Sequence, residues 1–596
     1  MSERKVGFGR IFWPSLVAAL IVSVLGSIIF VLVIGGFISG LSDLKPEPLK
    51  VKDKTVLHLT LEGQVAEKSD ASFSKSSFSF SNKIGLSDLL LGFKQAAKDK
   101  NISGVFLDLK DANMGFASAK ELRDAINKFE ESGKFVVSYS SGEMISQKEY
   151  YLASATNFSY AFPTSAMQFN GLGAELMYFK NTLDKLGVEM QVIRGSNNDF
   201  KSAVEPFFRE NLSDSSRLQI ERYLNSIWLN IRTDISKDKN VSIEQLDEIA
   251  ENLSIHRAQD AVQYKLIDKT MYRDEVIDLI KEKAGVSDDK LNLISFEKYA
   301  KKKFKQDQVL ISADKPNVAV ILSQGDISTE GEGISSEEIC KLFQDVRKNK
   351  SIKTVVFRVN SPGGSALASD EIWREVKLTN KSKKVIVSMG DVAASGGYYV
   401  STPASRIFAE SSTITGSIGV FGVVPFIGDM LTDKLGLTFD RAMTNKHAVL
   451  SLNQKMTKEE LSFLQEEVDK IYKDFLSRVA EGRGMSVEEV NTIARGRVWT
   501  GTDALRIGLV DEIGGISEAI EYASKQAGID EAKVLYYPLQ KEDPFAELME
   551  KIQEEEFAKT SNEESVSEEL LAYYARLKAL DNMTGIQMRL PFYLNF

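Results

Sequence analysis

Gly390-Asp-Val-Ala-Ala-Ser395-Gly-Gly-Tyr-Tyr-Val400 is the stretch around which the chain is organised. It follows the apolar run Val385-Ile-Val-Ser-Met389, which reads as a buried strand. It runs on into Tyr398-Tyr399-Val400, which reads as the first apolar turn of a helix. Ser395 therefore falls at a strand-to-helix junction, where Gly396 and Gly397 let the backbone turn sharply and leave room for a ligand. Free N–H groups and the dipole of a helix start favour developing negative charge. That suits a nucleophile whose reaction makes an oxyanion. The plainer alternative is a serine N-cap followed by a flexible glycine pair. Upstream, strand-like Val355–Val359 ends in Asn360-Ser-Pro-Gly363-Gly364-Ser365, a tight turn with exposed N–H groups and no Cβ in the way. Beside Ser395 such a loop would complete an oxyanion hole. A third small-residue piece is Thr415-Gly-Ser417-Ile-Gly-Val420.

These pieces occur in order with Gly496-Arg-Val-Trp-Thr-Gly-Thr-Asp-Ala-Leu-Arg-Ile-Gly-Leu-Val-Asp-Glu-Ile-Gly-Gly515. Together they closely resemble the signal peptide peptidase A family, also called protease IV, in its long two-repeat form. The resemblance covers roughly Val51 to Gln540. A Gly-x-Ser-x-Gly elbow is absent around Ser395, which counts against an ordinary α/β-hydrolase.

A chain of 596 residues is too long for one domain. With 43% hydrophobic and 27% charged residues its composition is that of a globular protein. The net charge of −10 argues against nucleic acid as a partner. The single cysteine, Cys340, excludes an internal disulfide and reads as an apolar side chain on a helix. Three histidines and no Cys-x-x-Cys or His-Glu-x-x-His pattern make a metal site unexpected.

Ile11 to Ser42 carries no charged residue, a run long enough to span a bilayer with tilt. Arg4, Lys5 and Arg10 precede it, which keeps the N-terminus cytoplasmic. No Ala-x-Ala-like site marks a cleavable signal peptide, so the reading is an uncleaved anchor. The expected organisation is a cytoplasmic N-terminus and transmembrane anchor over 1–45 and a first repeat domain over 46–310. A second repeat domain follows over 311–540, then an acidic, helical tail over 541–596. Lys301-Lys302-Lys303 reads as part of a polar connector between the repeats. In the tail, Leu570, Leu571, Tyr574, Leu577 and Leu580 keep helical spacing, so a helix is expected over 565–580.

The repeat shows in matched segments: Asn101–Leu109 with Ser351–Val359, Lys134–Ser138 with Lys384–Ser388, Tyr150-Tyr151 with Tyr398-Tyr399, and Leu266–Asp268 with Leu509–Asp511. Strands alternating with helical segments predict an α/β architecture. The resemblance implies tandem crotonase/Clp-protease-like domains, each a spiral of ββα units. The chemistry of the halves is unequal. The first has Ala112-Asn113-Met114 where the second has Pro362-Gly363-Gly364, and Gln147 or a near neighbour stands opposite Ser395. The first half cannot run acyl transfer alone.

A serine hydroxyl needs a base. His58 lies in a predicted strand and His256 before a helix, so among histidines only His447 is a plausible base, and no obvious aspartate accompanies it. A lysine serves instead if burial lowers its pKa. Gly195-Ser-Asn-Asn-Asp-Phe-Lys201-Ser-Ala-Val-Glu-Pro-Phe207 resembles the family's lysine motif. The resemblance implies a Ser–Lys dyad of Ser395 (nucleophile) and Lys201 (general base), with Ser417 orienting the amine. The expected oxyanion donors are the N–H groups of Gly396 and of Gly363 or Gly364. No metal or organic cofactor is needed. Asp199 and Glu205 must point away from the lysine, since an acidic neighbour would raise its pKa.

The expected function is a membrane-anchored serine endopeptidase that degrades cleaved signal peptides and other apolar peptides, with its catalytic part in the periplasm of a bacterium. The resemblance also implies a homotetramer. The alternatives are a crotonase-type acyl-CoA enzyme and an inert membrane scaffold.

Overall fold

The computed structural model describes residues 51–74, 79–287, 291–313, 315–539 and 586–589. The described residues from Lys52 onward form one compact unit. The first half contributes Thr55–Gln64 (β1), Ile102–Asn113 (β2), Phe135–Ser140 (β3), Phe158–Ala161 (β4), Glu189–Arg194 (β5), Lys269–Thr270 (β6) and Leu293–Ser295 (β7). The second contributes Val318–Gln324 (β8), Ile327–Ser328 (β9), Ile334–Ser335 (β10), Thr354–Ser361 (β11), Gly363–Ser365 (β12), Lys384–Ala394 (β13), Arg406–Ala409 (β14), Ile414–Gly416 (β15), Phe421–Phe426 (β16), Val498–Thr500 (β17), Glu512–Ile513 (β18) and Val534–Tyr537 (β19). Ile586–Arg589 (β20) is the last strand among the described residues. The helices that matter below are Phe116–Glu130 (α1), Gln147–Ala153 (α2), Phe296–Ala313 (α3) and Gly396–Ser401 (α4).

The internal repeat is visible as two sheets of one topology. The first runs β6-β4-β3-β2-β1-β7 and the second β18-β14-β13-β11-β8-β19, and these pairings are parallel throughout. In the second sheet β15 adds beside the end of β13, and β17 pairs antiparallel with β15. The apolar runs explain why these strands are central. In β8 every residue from Val318 to Ser323 is buried, the mark of a strand covered on both faces. Val355, Val356, Phe357, Val385, Ile386 and Val387 are equally enclosed, and helix residues such as Phe343 and Ile372 pack over the sheet.

A third sheet joins the halves. Its order is β10-β9-β12-β20-β16-β5, and β5 from the first half pairs antiparallel with β16 from Arg194↔Phe421 to Glu189↔Phe426. The chain leaving β5 is therefore fixed against the second half, and that chain carries Lys201.

Lys301-Lys302-Lys303 does not form a polar connector; it lies within α3. Phe296, Tyr299 and Ala300 are buried at i, i+3 and i+4, so one face of the segment is apolar and packs, while Lys302 is exposed and Lys301 and Lys303 are half-buried. Among the described residues no helix is long and apolar enough to cross a membrane. The uncharged run Ile11–Ser42 and the helix expected over 565–580 lie outside the described residues.

Candidate active site

β13 runs past Met389 to Ala394 and stops where the sheet splits, with Ser361 paired to Ala393 on one side and Thr415 on the other. Ser395 follows with φ 57° and ψ −114°, a conformation that non-glycine residues rarely adopt and that costs on the order of 1–3 kcal/mol. Its N–H donates to Gly416 O at 2.8 Å and its carbonyl accepts from Tyr399 N at 2.8 Å, so the strained turn is held from both ends. The side chain does not cap α4. The serine N-cap reading therefore gives way to a serine turned out of the strand-to-helix path.

Ser395 Oγ lies 2.7 Å from Lys201 Nζ. The same nitrogen is 3.0 Å from Ser417 Oγ and 3.0 Å from the Ser417 carbonyl. All three residues are 0% exposed and belong to one chain, with Lys201 from the first half and both serines from the second. Burial pushes the Lys201 amine well below the ordinary lysine value of 10.5. Asp199 pairs with the Arg495 guanidinium, and Glu205 accepts from Ser213 Oγ at 2.7 Å. Neither carboxylate faces the amine.

The glycine loop closes the other side. A Cβ on Gly396 would fall 3.2 Å from Gly364 N and 3.2 Å from Gly363 Cα, so the loop and the start of α4 touch backbone to backbone. The N–H of Gly363 donates to Ser361 Oγ at 3.1 Å. Of the two loop donors considered from sequence, Gly364 is thus the one beside Gly396 without that internal partner. A Cβ on Gly364 would sit 2.0 Å from Ile327 O, so only glycine fits.

His447 is at the surface, its Nδ1 2.8 Å from Glu460 Oε1, away from Ser395. His58 lies in the first sheet, 3.3 Å from Asp108 Oδ2. Among the described residues no group of three His, Cys, Asp or Glu side chains could hold a metal ion.

Several contributors escaped the sequence reading. Gly496, at φ 79°, lies under Lys201: a Cβ there would come within 2.5 Å of Lys201 Cβ. Phe200 N donates to Arg495 O, Ser417 N to Arg497 O, and Gly496 N to Ile418 O, so the lysine loop and the Ser417 loop share one backbone seat. Glu67 of the first half reaches the other side. It takes Arg358 Nε and one terminal nitrogen, both at 3.0 Å, and accepts from Asn360 Nδ2 at 2.9 Å. Asn360 Oδ1 in turn accepts from Val392 N. Their signal was a charge inside an apolar strand, Arg358, that the repeat alignment matched to Asp108.

Among its described residues the first half has no equivalent site. Tyr150 OH donates to Leu266 O, as Tyr398 OH does to Leu509 O, which fixes Gln147 opposite Ser395. Gln147 Oε1 accepts from the N–H groups of Asn170 and Gly171, so the side chain fills that position with hydrogen bonds.

The sequence profile of Peptidase family S49 matches residues 128–287 and 377–530, one segment in each half. The chain is 33% identical to "Serine protease SPPA, chloroplastic" of Arabidopsis thaliana, over 80% of this chain and 70% of that one. It is 34% identical to "Protease 4" of Salmonella typhi, over 76% and 74%. It is 35% identical to "Protease 4" of Haemophilus influenzae, over 74% and 73%. The chain belongs to peptidase family S49 and is a serine peptidase.

Proposed function

We propose that this serine peptidase works through a Ser395–Lys201 dyad. The observation that carries the reading is the 2.7 Å contact between Lys201 Nζ and Ser395 Oγ in a fully buried setting with no carboxylate on the amine. A neutral amine has two N–H groups and one lone pair. The Ser417 carbonyl and Oγ take the two N–H groups, which leaves the lone pair for the Ser395 hydroxyl. Lys201 removes that proton as Oγ attacks the scissile carbonyl. The N–H groups of Gly396 and Gly364 receive the oxyanion. Lys201 then protonates the leaving amine, and water hydrolyses the acyl-enzyme. The acyl-CoA alternative would leave the buried Ser395–Lys201 contact without a use.

The substrate in this reading is an extended, mostly apolar peptide, released signal peptides above all. The chain is held at a bacterial inner membrane by Ile11–Ser42, with tandem Clp-like domains in the periplasm over 46–310 and 311–540, assembled as a tetramer. A reporter fused after residue 50 is active on export, and its activity in the cytoplasm would overturn the topology. The test of the dyad is cleavage of an apolar peptide by wild type, Ser395→Ala and Lys201→Ala. Both variants lose on the order of 10⁴-fold or more in kcat; a Lys201→Ala protein that still turns over would overturn it.

A further inference from the structure

Arginines gather around β17 that the dyad does not use. Arg497, just before the strand, is half-buried, and its Cζ lies 4.3 Å from the centre of the Trp499 ring and 5.0 Å from that of Phe200. Arg222, on the helix Asp214–Lys239, has its Cζ 5.1 Å from the same Trp499 ring. Two other residues of that helix fix it to β17. Gln219 Oε1 accepts from Val498 N, and Ser226 Oγ lies 2.9 Å from Thr500 Oγ1. Arg506 joins from the next helix, Gly501–Arg506.

Three guanidinium groups share one carboxylate here. Asp503 accepts from Arg222 Nε and Nη2, both at 3.2 Å, and from Arg506 Nη2 at 3.1 Å. Arg497 Nε is buried and has no hydrogen-bond partner among the described residues. The charged groups that act on it most strongly are Arg222, Asp503 and Arg506; burial, and then the two arginines, push it below the ordinary arginine value. The buried Arg358, by contrast, has Glu67 and Glu121 to itself. The cluster is open to solvent, since the Arg222 and Arg506 side chains are 40% and 62% exposed. Three positive charges against one negative leave two uncompensated, in a chain whose net charge is −10.

Rings over a guanidinium cover its faces and leave its N–H groups free at the edge, the geometry that takes two oxygens of a phosphate. A phosphate monoester carries about −1.5 to −2 at pH 7 and so balances the excess, whereas a carboxylate leaves half of it. We propose that Arg222, Arg497 and Arg506 form a binding site for a phosphate dianion, either the free ion or a phosphate monoester. The site backs onto the dyad: Arg497 O accepts from Ser417 N at 2.7 Å, and Phe200, beside its guanidinium, precedes Lys201. No atom of the dyad takes part in binding, so the proposal stands apart from the peptidase mechanism.

The test is calorimetric titration of the full wild-type chain, in detergent at low salt, with inorganic phosphate, with glycerol 3-phosphate and with acetate. One phosphate binds per chain with a dissociation constant below about 1 mM, and acetate binds at least about ten-fold more weakly. Arg497→Gln and Arg506→Gln each weaken phosphate binding about ten-fold. The exposed Arg506 keeps the test decisive if Arg497→Gln fails to fold. Asp503→Asn tightens binding several-fold, because it removes the competing carboxylate; a purely structural role for the cluster gives no such gain. Arg478→Gln leaves the affinity unchanged, although that guanidinium also stacks on a tryptophan, because it pairs with Asp370. Glycerol 3-phosphate binding as tightly as inorganic phosphate marks a monoester as the occupant, and a preference for inorganic phosphate marks the free ion; both support the site. The proposal is overturned by the absence of saturable phosphate binding up to about 10 mM, by acetate binding as tightly as phosphate, by an affinity indifferent to positions 497, 503 and 506, or by an equal loss in Arg478→Gln.

Discussion

At the scale of the residue, the proposed dyad turns on the charge state of Lys201. An ammonium would have three donors and no lone pair, so it could not take the Ser395 proton. Burial favours the neutral amine by lowering its pKa, so the proposed dyad predicts that kcat/KM climbs with pH along one ionisation and then levels off. Lys201→Arg is expected to be inert at every pH because guanidinium stays charged. The same burial has a cost in stability. The folded lysine titrates well below 10.5 while the unfolded one does not, so between those values the unfolded chain binds more protons. Stability therefore rises with pH across that window and is lost as pH falls through it. Lys201→Met removes the effect. It should abolish turnover yet raise the melting temperature near pH 7, with the gain shrinking as pH approaches 10.5; a melting temperature below wild type at pH 7 would contradict this. Ser395, Lys201 and Ser417 were legible in the sequence because each sits in a long ordered motif. The hydrogen bond from Gly363 to Ser361 was not, since the direction of a loop N–H depends on torsions that a Pro-Gly-Gly turn leaves open.

At the scale of the element, the site is built by backbone against backbone. Gly496 is far in sequence from Lys201 but directly beneath it, at φ 79°. Gly496→Ala is expected to push the lysine loop outward and lower kcat about 10²-fold with little change in KM, because a displacement of about 1 Å suffices for that loss. Gly364→Ala collides with Ile327 O and misdirects an oxyanion donor, with an expected loss of about 10²–10³ in kcat. Steady-state kinetics on both variants checks this, and wild-type kcat in either would show that the loop has slack. The strands were readable from their apolar runs, down to the paired segments of the two repeats. The end of β13 was not, because the apolar run stops at Met389; the strand continues because β15 pairs with Val392, Ala393 and Ala394. The lysine run in α3 misled for a related reason. Lysine is a good helix former, and the helix is revealed only by the burial of Phe296 and Tyr299, which depends on the rest of the fold.

At the scale of the molecule, the two halves form one enzyme because each completes the other. β5 and Lys201 reach into the second half, while Arg358 of the second half is gripped by Glu67 and Glu121 of the first. Its remaining N–H groups donate to Ser388 Oγ and Met389 O, so the buried guanidinium is fully satisfied. Asp391, just before β13 ends, accepts from Ser118 N and Oγ at the start of α1, where Gly115 supplies no side-chain cap. Removing one partner of such a cluster leaves a buried charge uncompensated. Glu67→Ala should thus cost about 3–5 kcal/mol in denaturant unfolding, and a loss below about 1 kcal/mol would show that the halves hold together without it. The central claim is that a lysine from one half activates a serine from the other. Its most direct test is the rate at which a fluorophosphonate labels the full chain between pH 6 and 10, with the modified residue mapped by mass spectrometry. The account predicts one labelled serine, Ser395, a rate that rises with pH, and a fall of about 10³-fold in Lys201→Arg and Lys201→Met. Labelling at another serine, or a Ser395 rate indifferent to the residue at position 201, would contradict it.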